Sequence, residues 1–438
     1  MPMTLIPRPA FTPDVLSPSD IERLNTAART GGYLDPSWLL AVVPTLLPWE
    51  ESHAHARDLH QLLRLLRRLP REIYGDSLDS GLRFAEAVGM NDSEVSALER
   101  AAVPLPHADD GLFPARWDVL LTPDGPRVVE ANLGIALGGV PSDALNAAYD
   151  TLGTPGRWPD AAQQWYRALT EAGEGPGKLG FVDDDPYWEE SSYDATSWVT
   201  FLTQPSAGQV TAGPLSSLTV SPALTLAKAP LMRVAELFSL TDLSASPRGA
   251  SYLDAVAVGD LRPTISLWCE VFNSKACLAL LHEFALSLPS GHSDRELVLR
   301  VLPRTTLLNE GLPPAQERNA HVLKPARAFG GEGVVIGSDT SDDQWRDQGH
   351  ALSRHDKYAV VQERVHPIAD TWPQATVDHE GVIRSMMNHP PVLGFYIVNG
   401  ALVSAMTRAQ GSDSAVISAR SGAALATVRF TSHERVDL

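Results

Sequence analysis

Only two of the 438 residues are cysteine, Cys269 and Cys277. Both sit in apolar surroundings of a long chain, so they read as reduced core thiols rather than a disulfide framework. No cysteine–histidine spacing of a zinc site occurs. No uninterrupted apolar stretch reaches the length of a membrane span, and residues 1–8 lack the charged start and apolar core of a signal peptide. Basic runs are missing too: 53 acidic against 35 basic residues leave a formal net charge of −18. Such a surface repels a phosphate backbone and argues against nucleic acid as a partner. A nucleotide remains allowed, because Mg²⁺ and a few local cations screen its phosphates. The chain has no internal repeat and no low-complexity tract. These absences predict a soluble, cytoplasmic protein with neither membrane nor nucleic-acid partners. What remains is ordinary globular composition, 44% hydrophobic and 20% charged, at a length that asks for two or three domains.

The first hundred residues read as helical. Ser19 and Glu22 have the spacing of a capping box. From His53 to Leu69, leucines at Leu59, Leu62, Leu63, Leu65, Leu66 and Leu69 predict an amphipathic helix with an arginine-rich exposed face. His53, His55 and His60 do not share one face of that helix and read as surface histidines rather than metal ligands.

Residues 116–132 predict a hairpin. Thr122 to Gly125 is a turn signal between two apolar runs. A three-residue loop, Pro123 to Gly125, would pair Thr122 with Pro126 and Leu121 with Arg127. Carried outward, that register sets Asp118 opposite Glu130, with Asn132 on the same face. Opposed carboxylates repel unless something positive lies between them, and a hard divalent ion such as Mg²⁺ takes such oxygens. The alternative is pairing of Asp118 or Glu130 with Arg116 or Arg127 on a solvated face.

A loop then leads to a helix near Asp143. From Gly175 the runs shorten: Lys178 to Val182 predicts a strand, Asp183 to Pro186 a solvated acidic turn, and 192–263 a small α/β unit. Helices are expected over 274–285 and from Asp294 to Val301, then over Asp342 to Arg354, followed by a strand from Tyr358 to Glu363. Hairpins follow, with turns at Glu380–Gly381, Asn399–Gly400 (type I′) and Ser421–Gly422.

The stretch from His321 to Gly337 carries the strongest local signal. An apolar run ends in Lys324–Pro325; a loop holds Gly330, Gly331 and Gly333; a second run is Val334 to Ile336. This predicts strand, glycine loop, strand. Glycines there let backbone N–H groups approach an anion, although an ordinary hairpin tip has the same pattern. No Gly-Lys-Ser/Thr follows, and no helix opens after the loop, so it is neither a P-loop nor a dinucleotide fingerprint. The lysine precedes the loop and no His-Arg-Asp or Asp-Phe-Gly follows, which excludes a protein kinase.

Lysine-proline, a glycine loop between strands, and a later strand ending in Gln362–Glu363 resemble the ATP-grasp superfamily. An acid with a Glu-x-Asn pair, which that superfamily carries downstream, lies upstream here, at Asp118 and Glu130–Asn132. That order resembles the circularly permuted group, similar to glutathionylspermidine synthases and certain peptide ligases. The resemblance covers roughly 113–145 and 270–430. It implies an α+β fold of antiparallel sheets, with a helical N-terminal segment (1–110), a metal-binding hairpin portion (111–175), a small α/β lobe (176–270) and an ATP-binding portion (271–438). It implies that Lys324 contacts ATP, that Gly330, Gly331 and Gly333 cover its phosphates, and that Gln362, Glu363 and Val365 bracket adenine. Asp118, Glu130 and Asn132 would hold Mg²⁺. Lys275 and Arg304 would touch phosphate, Arg408 the transferring phosphoryl group, and Arg116 a substrate carboxylate. Where the family often has an asparagine near the final strand, this chain has Ser414 to Ser418.

The implied activity is an ATP- and Mg²⁺-dependent carboxylate–amine ligase acting through an acylphosphate on small-molecule substrates. A phosphotransferase and an inactive ATP-grasp binding module are the alternatives. The N-terminal helices would cap the substrate site or mediate a homodimer.

Overall fold

The computed structural model describes residues 17–29, 38–107, 112–134, 139, 141–171, 177–190, 193–203, 205–221, 223–328, 330–368, 376–378, 380, 383–384, 391–409 and 423–431. The fold is mixed α+β, with three sheets.

The largest sheet has nine strands. From one edge they run Ile383–Arg384, Thr376–Val377, Leu39–Ala41, Ala424–Thr431, Ala401–Ala409, Val392–Val398, Ala115–Thr122 and Gly125–Leu133, with Thr45–Pro48 extending Ala424–Thr431. Among the described residues of this sheet, only Leu39–Ala41 and Thr45–Pro48 pair in parallel, both with Ala424–Thr431. The sheet buries one face against the helix Trp49–Tyr74, whose leucines recur every three or four residues and are all buried. The His55 ring meets Phe395 edge-on at 5.4 Å. Because side chains alternate across a strand, Phe395 and Trp117 face the helix while Gly394, Arg116 and Asp118 face the other way. The nine-stranded sheet therefore has one apolar face and one that carries charge.

The second sheet is antiparallel and has four strands, in the order Thr305–Leu307, Val360–Glu363, His321–Lys324, Val335–Ile336. Leu323 and Val361 pack with Trp345 of the helix Asp342–His355. Lys324 and Gln362 alternate to the opposite face. The third sheet begins with the parallel strands Val210–Pro214, Lys178–Asp183 and Ala229–Glu236 and ends with Thr225–Leu226 and Leu218–Thr219. Trp198 stacks on Phe181 at 5.5 Å to seal a helix onto it.

Several local expectations change. Ser17, not Ser19, caps the first helix: Asp20 N donates to Ser17 Oγ and Ser17 N to Asp20 Oδ2. His55 is buried, and burial pushes its imidazole down to about 4. The arginine face is not wholly solvated, since Arg67 is buried 4.1 Å from the Phe113 ring centroid. Asp183 and Asp184 are buried at a strand end rather than solvated. Asn399 and Gly400 both have positive φ, as a type I′ turn requires, and both cysteines are free and buried. Ser414 to Ser418, the Ser421–Gly422 turn and Gly381 lie outside the described residues.

Glu236, at the end of its strand, ties the third sheet to the segment leading toward the charged face. It accepts from Tyr252 Oη at 2.9 Å, Thr264 N at 3.2 Å and Ile265 N at 2.9 Å. Burial raises its carboxyl from 4.5 to about 7. A raised carboxyl stabilises the fold below the unfolded pKa, and that contribution is lost as pH rises through the folded one. Stability therefore declines between about pH 4.5 and 7 by on the order of 3 kcal/mol from this group, at about 1.4 kcal/mol per pKa unit. Glu236→Gln, which keeps an acceptor for the two amides, is expected to flatten that decline in denaturant titrations across pH; an unchanged slope would contradict the assignment.

Candidate active site between two antiparallel sheets

The hairpin Ala115–Thr122/Gly125–Leu133 forms with a tighter turn than the sequence suggests. Thr122 pairs with Gly125 and Leu121 with Pro126, leaving a two-residue loop. A bulge then restores the register by one residue, so Asp118 does lie opposite Glu130 and Arg116 opposite Asn132. The extra residue is Val129, and its carbonyl is freed from the ladder to accept from Lys324 Nζ at 2.9 Å. The bulge thus serves both the register and the contact with the second sheet.

Asp118 is almost wholly buried between two guanidiniums. Arg116 Nε donates to its Oδ1 at 3.0 Å, and Arg408 Nη2 lies 2.6 Å from its Oδ2. Burial pushes the Asp118 carboxyl up, but Arg116 and Arg408 outweigh it and hold the group below the ordinary carboxylate range. For Arg116 burial works against the charge, and Asp118, Tyr396 and Glu130 together more than offset it. Arg408 reaches Asp118 across the intervening strand because Gly394, the direct partner of Asp118, has no side chain. A Cβ there would sit 3.3 Å from Arg116 Cδ and 3.7 Å from Asp118 Oδ1. Sequence reasoning missed Gly394; a lone glycine inside the apolar run Leu393 to Val398 was the available signal.

Glu130 is paired with Lys275 Nζ at 3.0 Å. Lys275 is buried and also donates to Ala328 O at 2.8 Å, while its backbone N donates to Ala326 O. Asn273, just before it, locks the helix start to the hairpin through Leu133 N and O. Lys324 Nζ meets Gln362 Oε1 at 2.6 Å, and Gln362 Nε2 donates to Thr305 Oγ1. Burial lowers the Lys324 ammonium to about 8, and nearby Lys275 adds to the effect that Glu130 and Asp118 oppose. Gly330, Gly331 and Gly333 all take positive φ, and a Cβ on Gly333 would lie 2.7 Å from Pro325 Cγ. The loop can close only on glycine there.

The structure therefore brings Arg116, Asp118, Glu130, Asn132, Lys275, Lys324, Gln362 and Arg408 together, and Gly330, Gly331 and Gly333 follow on the loop led by Lys324. Arg304 is exposed and outside this cluster; its backbone exchanges hydrogen bonds with Glu363, which is also exposed. Val365 is half-buried just beyond.

The repulsion between opposed carboxylates is met by side-chain cations, Arg116 and Arg408 on Asp118 and Lys275 on Glu130. Four cations against two carboxylates leave a formal surplus of two positive charges, which suits a polyanion. Among the described residues no group of three or more histidine, cysteine, aspartate or glutamate side chains assembles into a metal cage. Asn132 is buried with Nδ2 lacking a partner among those residues. Assignment of amide O and N can be exchanged, so this side chain, with Asp118 and Glu130, fits an ion that enters with an anion able to take over the lysine and arginine contacts.

An anion beside Lys324 favours its charged form, so binding at pH 8 takes up a proton. Calorimetric titration with inorganic sulfate, which does not itself titrate at that pH, in buffers of different ionisation enthalpy is expected to show that uptake, and Lys324→Met to abolish it. Buffer-independent heats in the parent would contradict the placement.

No protein-family model matches the chain, and no curated protein matches it. Among solved structures it is similar to a glutathione synthetase-like effector from Globodera pallida in its apo form. The match covers 98% of this chain and 100% of the other, with a TM-score of 0.63 and 14% identity. At that identity the likeness is one of fold alone, and the chain shares its fold with that effector.

Proposed function

We propose that the protein is an ATP- and Mg²⁺-dependent carboxylate–amine ligase with a circularly permuted ATP-grasp arrangement. The observation that carries this reading is the meeting of Lys324 and Lys275, which flank the glycine loop in space, with the carboxylate hairpin. The hairpin precedes the loop in the chain, as the permuted order requires.

On this reading 271–438 supplies the nucleotide portion and 111–175 the metal-binding hairpin. Lys324, Lys275 and the amides of Gly330, Gly331 and Gly333 hold the ATP phosphates, and Gln362, Glu363 and Val365 border adenine. Arg116 orients the substrate carboxylate, which attacks the γ-phosphorus to give an acylphosphate and ADP. Arg408 neutralises charge on the transferring phosphoryl group. An amine then attacks the acyl carbon, expels phosphate and loses a proton to solvent, leaving an amide. Asp118, Glu130 and Asn132 would hold Mg²⁺ once the phosphates engage the neighbouring cations, and the ion would supply charge neutralisation on the polyphosphate. No side chain forms a covalent intermediate; the protein contributes positioning and electrostatics.

A binding module without chemistry is the second reading, favoured by the engagement of both carboxylates with side-chain cations. ADP release measured with carboxylate and amine mixtures separates the two. The ligase reading expects Mg²⁺- and amine-dependent ADP release that falls by about 10²-fold or more in Glu130→Gln. A variant as active as the parent would overturn the metal assignment. Mg·ATP binding with no ADP formed from any mixture would favour the binding module.

A further inference from the structure

Glu94 is 0% exposed, an unusual position for a helix-capping glutamate. It lies in the first turn of the helix Asp92–Ala101, where its Oε2 accepts from Asn91 N at 2.9 Å and completes a capping box. A capping box needs no arginine and no burial. Here both Glu94 oxygens are also engaged by Arg327, with Nη2 at 2.7 Å from Oε1 and Nη1 on Oε2. Thr241 Oγ1, on the helix Leu240–Ala245 that follows the third sheet, donates to Oε1 at 2.5 Å. Three separate parts of the chain converge on one carboxylate.

Arg327 lies three residues after Lys324 and three before Gly330. Its neighbours are fixed as well: Ala326 N donates to Asp356 Oδ2 at 2.6 Å, and Lys275 holds Ala326 O and Ala328 O. The stem of the glycine loop is therefore gripped from the hairpin side by Lys275 and from the opposite side by Glu94. A bidentate arginine–carboxylate pair whose carboxylate is buried, with the arginine partly exposed, fixes geometry more than it adds net stability, because desolvation of the carboxylate offsets much of the attraction.

We propose that Glu94 is a positioning residue, through which the N-terminal helices and the Leu240–Ala245 helix hold the stem of the glycine loop over the charged cluster. Its consequence for nucleotide handling rests on the reading given above; the grip on the stem does not. The carboxylate acts only through Arg327 and touches none of the residues assigned to phosphate.

Deuterium exchange on the full chain, without ligand, tests the grip. Glu94→Gln keeps the capping interaction, since glutamine serves equally at that position, but removes the charge. Arg327→Lys keeps the charge but loses the planar fork. Both are expected to speed exchange of the 326–334 amides by about tenfold while the 92–101 helix stays protected. In an activity assay, KM for ATP is expected to rise by about tenfold with kcat within a factor of two. Unchanged exchange at 326–334 in both variants, or an equal rise in all peptides that tracks a lowered melting temperature, would overturn the proposal. If the parent gains no protection anywhere with Mg·ATP, the nucleotide reading fails, and the grip is still judged on the ligand-free comparison.

Discussion

Two carboxylates face each other across the Ala115–Thr122/Gly125–Leu133 hairpin, and the surrounding architecture supplies the charge they require. Like charges in direct opposition destabilise a sheet unless cations separate them. Arg116 comes from the same strand, Arg408 from two strands away across the gap left by Gly394, and Lys275 from a helix start locked to the hairpin by Asn273. Each partner arrives from a different element, so pairing the carboxylates also fixes how the elements meet. The surplus of cations then turns a structural solution into a receptor for a polyanion.

Lys324 extends that logic to the second sheet. Its ammonium is held by the Val129 carbonyl and by Gln362, and burial weakens its hold on its proton. A bulge, usually a local irregularity, here exposes a carbonyl that joins the two sheets. The glycine loop follows directly, with Gly333 against Pro325, so the lysine, the proline and the loop form one unit whose position is set by contacts on both sides.

Much of this was legible in the sequence. The opposition of Asp118 and Glu130 could be read from the spacing around Thr122 to Gly125, though for a reason only half right: the turn is one residue shorter and the bulge at Val129 compensates. Apolar runs on either side of the glycines located the glycine-loop strands, and a period of 3.6 located the long N-terminal helix, which buries one face. Features set by tertiary context were not legible. Local spacing does not reveal that a cap glutamate is buried under Arg327, that Gly394 opens a path for Arg408, or that His55 lies under Phe395. Arg304 looked equivalent to Lys275 in sequence, yet it is exposed beside Glu363, because only its backbone is needed there.

On the proposed function, the cluster around Asp118 and Glu130 receives the phosphates of a nucleotide. The most direct measurement is an experimental structure with a non-hydrolysable ATP analogue and Mg²⁺. Phosphates are expected in contact with Lys324, Lys275 and Arg408, with Glu130 separated from Lys275 to face the ion. An analogue bound elsewhere, or a cluster whose ion pairs are unchanged under saturating analogue, would contradict it.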